Sequence, residues 1–199
     1  MATILDEAEI RSLLARERFA RDTGQFQKLR DSYHPDASKT RVHIMWYDGE
    51  IDGFVSASEK HYSPTTVSIM HQIMPGEIDV QGSKALAQSW CIIDTRFDYE
   101  GGQLDAKTYV RLFNQCEKVD GRWKLLTLEI IYLRDLITPV YPAKEPDFGD
   151  LSGFRKSYRF TAWMVGLRGL TIRNDLAGED DAKSMEELIN KNRAWIEAP

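Results

Sequence analysis

The stretch from Lys107 to Asp135 constrains the chain more than any other. Lys118-Val119-Asp120-Gly121 supplies a tight turn, because glycine accepts the positive φ that a short hairpin loop needs. Strand formers flank it: Tyr109, Val110, Leu112 and Phe113 before, and the run from Trp123 to Leu133 after. Neither arm alternates, and apolar residues fall on both parities, so both faces of the hairpin must be covered. The simplest cover is helices on one face and another subunit on the other. A homodimer or homotrimer through the sheet is therefore the expected assembly.

A chain of 199 residues is one domain, or one domain with an appendage, and 42% hydrophobic residues support an ordinary packed core. A formal charge of −5 argues against nucleic acid as a partner, since phosphate binding needs a basic surface. No apolar run is long enough to cross a membrane, and charges at Asp6 and Glu7 do not suit a signal peptide. Cys91 and Cys116 lie in apparent strands and read as small buried residues of a reducing compartment. The expected location is the cytoplasm.

In chain order, Ile10, Leu13, Leu14 and Glu17 follow helical spacing and predict a helix over residues 5–21. Glu17 then lies on the apolar face, where it either reaches a pocket or pairs with Arg21. Asp22-Thr23-Gly24-Gln25 has the capping-box pattern, which makes Asp22 a structural cap of a second helix carrying Phe26, Leu29 and Tyr33. A strand is expected over Thr40 to Tyr47, a turn at Asp48-Gly49, and a short helix over Gly53 to His61. On the strand from Thr65 to Met74, His71 shares a parity with Val67, Ile69 and Ile73. Such a histidine is either a hydrogen-bonded core residue or a catalytic one. Pro75-Gly76 predicts a turn. On the next strand Leu86, Trp90, Ile92 and Asp94 are assigned one face, so Asp94 is a second carboxylate on an apolar face, or an exposed strand end. Thr138 to Asp150 reads as a proline-rich connector. A helix follows over Ser157 to Leu170, and a last one opens on a capping box at Ser184-Met185-Glu186-Glu187, with Leu188, Ile189, Trp195 and Ile196 on its stripe.

Helices followed by a long meandering sheet, with Phe19–Ala37, His71 followed by Ile78-Asp79-Val80-Gln81-Gly82, and Lys118–Lys124, resemble the SnoaL-like proteins of the nuclear transport factor two superfamily. The resemblance covers roughly residues 5–135 and implies an α+β fold. In it a curved, cone-shaped mixed or antiparallel sheet takes the N-terminal helices on its concave face, with a helical C-terminal extension here. The domains would be 1–137 for the cone and 138–199 for the connector and extension. The chain looks most like the scytalone dehydratase and bile acid dehydratase branch. That likeness places acid–base chemistry on Asp22 and His71, a second acid on Asp94, and an arginine near Arg134. Glu17 stands where the branch carries a tyrosine, and the second histidine of scytalone dehydratase has no counterpart.

Eliminating water from a ring alcohol takes a base for the proton next to a carbonyl, an acid for the departing hydroxyl, and a donor for the enolate. His71 held by Asp22 suits the base. A protonated Glu17, or the hydroxyl of Tyr47 or Tyr109, suits the donor. With Trp90 and Arg134, Tyr47 and Tyr109 complete the expected contacts to a hydrophobic cyclic small molecule. No metal or organic cofactor is required. The function implied is a cofactor-free dehydratase or isomerase working in a closed apolar pocket. The alternative is a non-catalytic binding or assembly protein of the same fold. The extension, rich in Phe154, Phe160, Trp163 and Met164, is expected to close the mouth of the cone or to clasp a neighbour.

Overall fold

The computed structural model describes residues 4–140 and 145–198. Helix α1 (Ile4–Asp22) buries Ile10, Leu13 and Leu14, as their spacing requires. Helix α2 (Phe26–Asp31) follows, then strands β1 (Arg41–Ile44) and β2 (Tyr47–Gly49) and helix α3 (Ile51–Lys60). Three long strands come next: β3 (Val67–Gln81), β4 (Lys84–Tyr99) and β5 (Gly102–Val119). They are followed by β6 (Arg122–Leu125) and β7 (Thr127–Pro139), then α4 (Arg159–Leu167), β8 (Ala177–Gly178) and α5 (Ala182–Glu197). All eight strands form one mixed sheet whose main path runs β2-β1-β7-β5-β4-β3; β6 pairs with β5 and β8 with β7. Among the described residues the parallel strand pairs are β1–β7 and β7–β8. Among the described residues no helix is long and apolar enough to cross a membrane.

The turn at Asp120-Gly121 forms as expected. Both residues take positive φ, +49° and +78°, between the pairs Lys118–Trp123 and Val119–Arg122. Other local readings are corrected. Asp48-Gly49 belongs to β2, and Met45-Trp46 makes the turn instead. Pro75-Gly76 does not end β3. It bulges the strand between the pairs Pro75–Ser89 and Ile78–Ala87, with Arg11 on α1 donating to the carbonyls of Pro75 (2.7 Å) and Gly76 (3.0 Å). Proline is tolerated because β3 is an edge strand. Asp181, not Ser184, caps α5 by accepting from the N–H groups of Lys183 and Ser184. Pro142, part of the expected connector, lies outside the described residues.

The double-faced apolar character of the hairpin has an intramolecular explanation. One face lines the core with α1. On the other, Leu86, Phe113 and Ile131 pack against Ile196, with Met185, Leu188, Ile189 and Trp195 of α5 around them. The chain's own last helix thus takes part of the place assigned to another subunit. Cys91 and Cys116 are free and buried, and burial pushes both thiols up to about 12.

Candidate active site

Asp22 ends α1 facing the middle of β3. Its carboxylate does not cap α2, and Gln25 at that position makes no side-chain cap either. Instead Oδ2 accepts the backbone N–H of His71 at 2.6 Å and Oδ1 lies 2.7 Å from His71 Nδ1. These competing acceptor demands are why the capping-box reading fails: a carboxylate buried against a strand takes the N–H and imidazole it meets there. Burial works against the Asp22 carboxylate, but the hydrogen bonds from His71 outweigh it and hold the pKa below the ordinary value. Burial lowers the pKa of His71, only partly offset by Asp22. The pair is therefore an ionised Asp22 and a neutral His71. An ionised carboxylate can only accept, so Nδ1 carries the proton and the lone pair sits on Nε2.

The imidazole lines a partly enclosed cavity of about 90 Å³ between the inner face of the sheet and α4. Ile69, Ile93, Leu112, Leu128 and Ile130 give it apolar walls, and Trp46 and Phe54 close one side. Met164, Val165 and Leu170, from α4 and the turn after it, form its cover. A larger surface recess of about 680 Å³ lies between α1, α2 and β6, lined by Leu13, Phe19, Lys28 and Trp123 among others. It contains no imidazole and is open to solvent. The carboxylate-held imidazole, its pKa lowered by burial, lines the smaller cavity, so that cavity is the candidate site.

Two groups that the sequence did not single out face this cavity. The hydroxyl oxygen of Tyr132 accepts the backbone N–H of Met45 at 3.1 Å, leaving its own proton to point at a guest. Burial raises its pKa, so it stays protonated. On the lid side, Thr161 on α4 shares a hydrogen bond of 2.7 Å with Thr108 on β5. The Thr161 N–H and hydroxyl also donate to Asp135 on β7, at 2.6 and 2.8 Å. The burial of Asp135 raises its pKa.

Several expected site residues lie elsewhere. Glu17 is buried (2% exposed) but pairs in a bidentate contact with Arg18, not Arg21, and accepts from the Tyr33 hydroxyl at 3.2 Å. Both oxygens are committed, and Glu17 does not line the cavity. Asp94 and Trp90 are on the outer face of β4, whose inner face is Ala87, Ser89, Cys91, Ile93 and Thr95. Asp94 sits 3.6 Å from Lys107, and Trp90 is 53% exposed under Arg111. A bulge at Leu133, between the pairs Val110–Tyr132 and Tyr109–Arg134, reverses the parity of β7. Arg134 consequently stacks on Tyr109, 4.4 Å from its ring centre, away from the cavity. Tyr47 donates to the Glu50 carbonyl at 2.8 Å and packs against Trp46 and Phe54, so it stands behind the wall.

Comparison with known proteins places this geometry among relatives. The profile of the SnoaL-like domain matches residues 2–129. Pea pathogenicity protein 2 of Fusarium vanettenii is 25% identical over 206 residues, covering 97% of this chain and 86% of that protein. A PEP2-like protein of the same fungus is 25% identical over 207 residues, covering 98% and 87%. Among solved structures, a hexachlorocyclohexane dehydrochlorinase (LinA) type 2 superposes with a TM-score of 0.56 at 16% identity, over 74% of this chain and 97% of that one. A putative scytalone dehydratase of Novosphingobium aromaticivorans gives 0.52 at 19% identity, over 72% and 93%. At these identities the structural likeness concerns the fold.

Proposed function

The chain belongs to the SnoaL-like domain family, and on that footing we propose that it is a cofactor-free acid–base enzyme. It acts by elimination or isomerisation on a hydrophobic cyclic small molecule enclosed beneath α4. The observation that carries this reading is the clamp on His71. A carboxylate fixes the tautomer and ring, and the remaining nitrogen opens on a desolvated cavity opposite a tyrosine hydroxyl with a free proton. Nε2 takes a proton from carbon next to a carbonyl, and the electrons of that C–H bond form the enolate. The Tyr132 hydroxyl donates to the enolate oxygen, which gains most in a site without water. When the enolate collapses to the conjugated carbonyl, the bond to a β-hydroxyl breaks. The imidazolium Nε2–H protonates the departing oxygen, so the substrate loses one water and His71 returns neutral. With one histidine serving both steps, the missing second histidine is no obstacle. Two structural neighbours are named for eliminations, of water and of hydrogen chloride, and this reading brings that class of chemistry to the chain.

Met70 and Met74 on β3 and Trp90 on β4 form the exposed apolar stripe that α5 leaves bare on the outer face. A second copy meeting this stripe is the assembly we propose, and sedimentation of a Trp90→Glu variant tests it. For the activity, the decisive experiment is incubation with a panel of cyclic β-hydroxyketones in D₂O, read by mass spectrometry. Loss of water or uptake of deuterium, abolished in His71→Gln, supports the enzyme. Ligands that bind unchanged and exchange no proton would make the protein a binder.

A further inference from the structure

The cavity carries a charge that its own residues do not neutralise. Arg18, Arg21 and Arg168 line it with His61 and His71, and among the described residues no carboxylate does. Arg18 is matched by Glu17. The nearest carboxylate oxygen to Arg21 is Asp22 Oδ1, 3.7 Å away and already held by His71. Arg168, at the C-terminal end of α4, donates to the backbone carbonyl of His61 at 2.8 Å and has no acidic partner among the described residues. Burial lowers the pKa of Arg21 against the pull of Asp22, and the neighbouring charges of Arg18 and then Arg168 lower it further. A small recess of about 60 Å³ beside the cavity shares Arg21, Arg168, His61 and Ile69 with it and is also lined by Asp22, whose two oxygens are held by His71. Arg21 thus has only a carboxylate at 3.7 Å that it shares with His71, Arg168 has no acidic partner among the described residues, and a planar oxyanion is a ligand that relieves this imbalance.

We propose that the cavity takes an anionic substrate, an apolar ring carrying one carboxylate, received between Arg21 on the cone and Arg168 on the cover while its ring lies toward His71. Because Arg168 travels with α4 and Arg21 with α1, the carboxylate ties the cover to the cone. Closure over the ring is thus favoured by the charged substrate more than by a neutral one of the same shape. The position of the ring beside His71 rests on the acid–base reading above; the selectivity for an anion rests on the arginines alone.

The probes are cyclohexanecarboxylate and cyclohexanecarboxamide, which share a shape and differ by one charge, titrated calorimetrically into the full chain. The carboxylate is expected to bind at least about tenfold more tightly, the scale of a charge-assisted hydrogen bond. Arg168→Gln brings the two to parity, while Arg168→Lys keeps part of the preference; thermal melts without ligand verify that both variants are folded. Equal affinities in the native protein overturn the proposal, as does a carboxylate that fails to bind at its solubility limit. A preference unchanged in Arg168→Gln overturns it too. Repeating the titration with His71→Gln separates the two readings. Carboxylate binding that survives there, with no proton transfer on any substrate by the native protein, leaves the anion site standing and removes the enzyme. Turnover confined to neutral substrates does the reverse.

Discussion

Asp22 holds His71 at two points, 2.6 Å at the backbone N–H and 2.7 Å at Nδ1, so one carboxylate fixes both the strand position and the tautomer of the imidazole. Asp22→Asn keeps the shape but lets the amide donate to Nδ1, which turns the Nε2 lone pair into an N–H. Turnover is expected to fall by on the order of 10²–10⁴ with little change in substrate affinity. Loss of a buried charged hydrogen bond costs about 1.5–3 kcal/mol of stability. Steady-state kinetics and urea unfolding measure the two. A variant with native turnover removes Asp22 from the mechanism.

The same pair sets a pH dependence. The folded pKa of His71 is below 6.5, so on acidification the unfolded chain takes up the proton first. Stability is therefore full above about pH 6.5 and declines as pH falls from there toward the folded value. Asp22 is depressed below 3.8; its contribution is present above that value and is lost as pH falls through its folded pKa. Urea midpoints are expected to be flat above about pH 7 and to fall toward about pH 5, with a shallower slope in His71→Gln. Turnover, needing neutral Nε2, rises over the same acidic limb to a plateau. A midpoint that rises on acidification contradicts the assignment of a neutral His71.

Tyr132→Phe removes the donor to the enolate and leaves the Met45 N–H without its acceptor. The expected loss is on the order of 10²–10³ in kcat, with about 1–3 kcal/mol of stability for the stranded amide. Asp94→Asn is the matched control. Its carboxylate points outward to Lys107, a solvent-facing pair worth at most about 1 kcal/mol, and kcat is expected to remain native. If Asp94→Asn disables the enzyme and Tyr132→Phe does not, the inner and outer faces have been assigned the wrong way round.

These two residues also show what could be read from the chain alone. The alternation of β3 located His71 but left a core or a catalytic role open, and Asp22 read locally as a helix cap; only the resemblance to SnoaL-like proteins put the two together. Asp94 was assigned inward because β4 carries apolar residues on both parities. One set fills the core, while Leu86 on the other meets α5, which lies about a hundred residues away in sequence. Tyr132 was hidden by the same ambiguity on β7 and by the bulge at Leu133, which reverses parity in a way no local pattern announces. Arg168 was invisible for a different reason. Its meaning depends on its having no acidic partner among the described residues, which only the packed molecule reveals.

The final prediction concerns α4 as a moving cover. A cavity of about 90 Å³ leaves a ring-bearing substrate little room beneath α4 as the helix is packed. A substrate larger than this space is expected to enter by movement of one of its walls. The sheet cannot swing away, being hydrogen-bonded along β3, β4, β5 and β7. Helix α4 can, because among the described residues it is tied to the cone by few polar contacts: Thr161 to Thr108, Thr161 and the Phe160 N–H to Asp135, and Arg168 to His61. Its aromatic side is held by Trp163 against Tyr99 and Phe148. The hydroxyls of Thr108 and Thr161 are 2.7 Å apart, so a Thr108→Cys, Thr161→Cys pair brings two sulfurs within reach of a disulfide that pins the helix to β5. Access is read without any ligand, by acylating imidazoles with diethyl pyrocarbonate and following His71 by peptide mass spectrometry. The oxidised protein is expected to modify His71 at least about tenfold more slowly than the reduced one, because acylation then requires opening that the disulfide forbids. His34, His43 and His61 in the same digest report any general change in reactivity. If oxidation leaves the rate at His71 unchanged while a truncation after Val140 dissolves an oligomer, the extension clasps a neighbour and the substrate enters by another path.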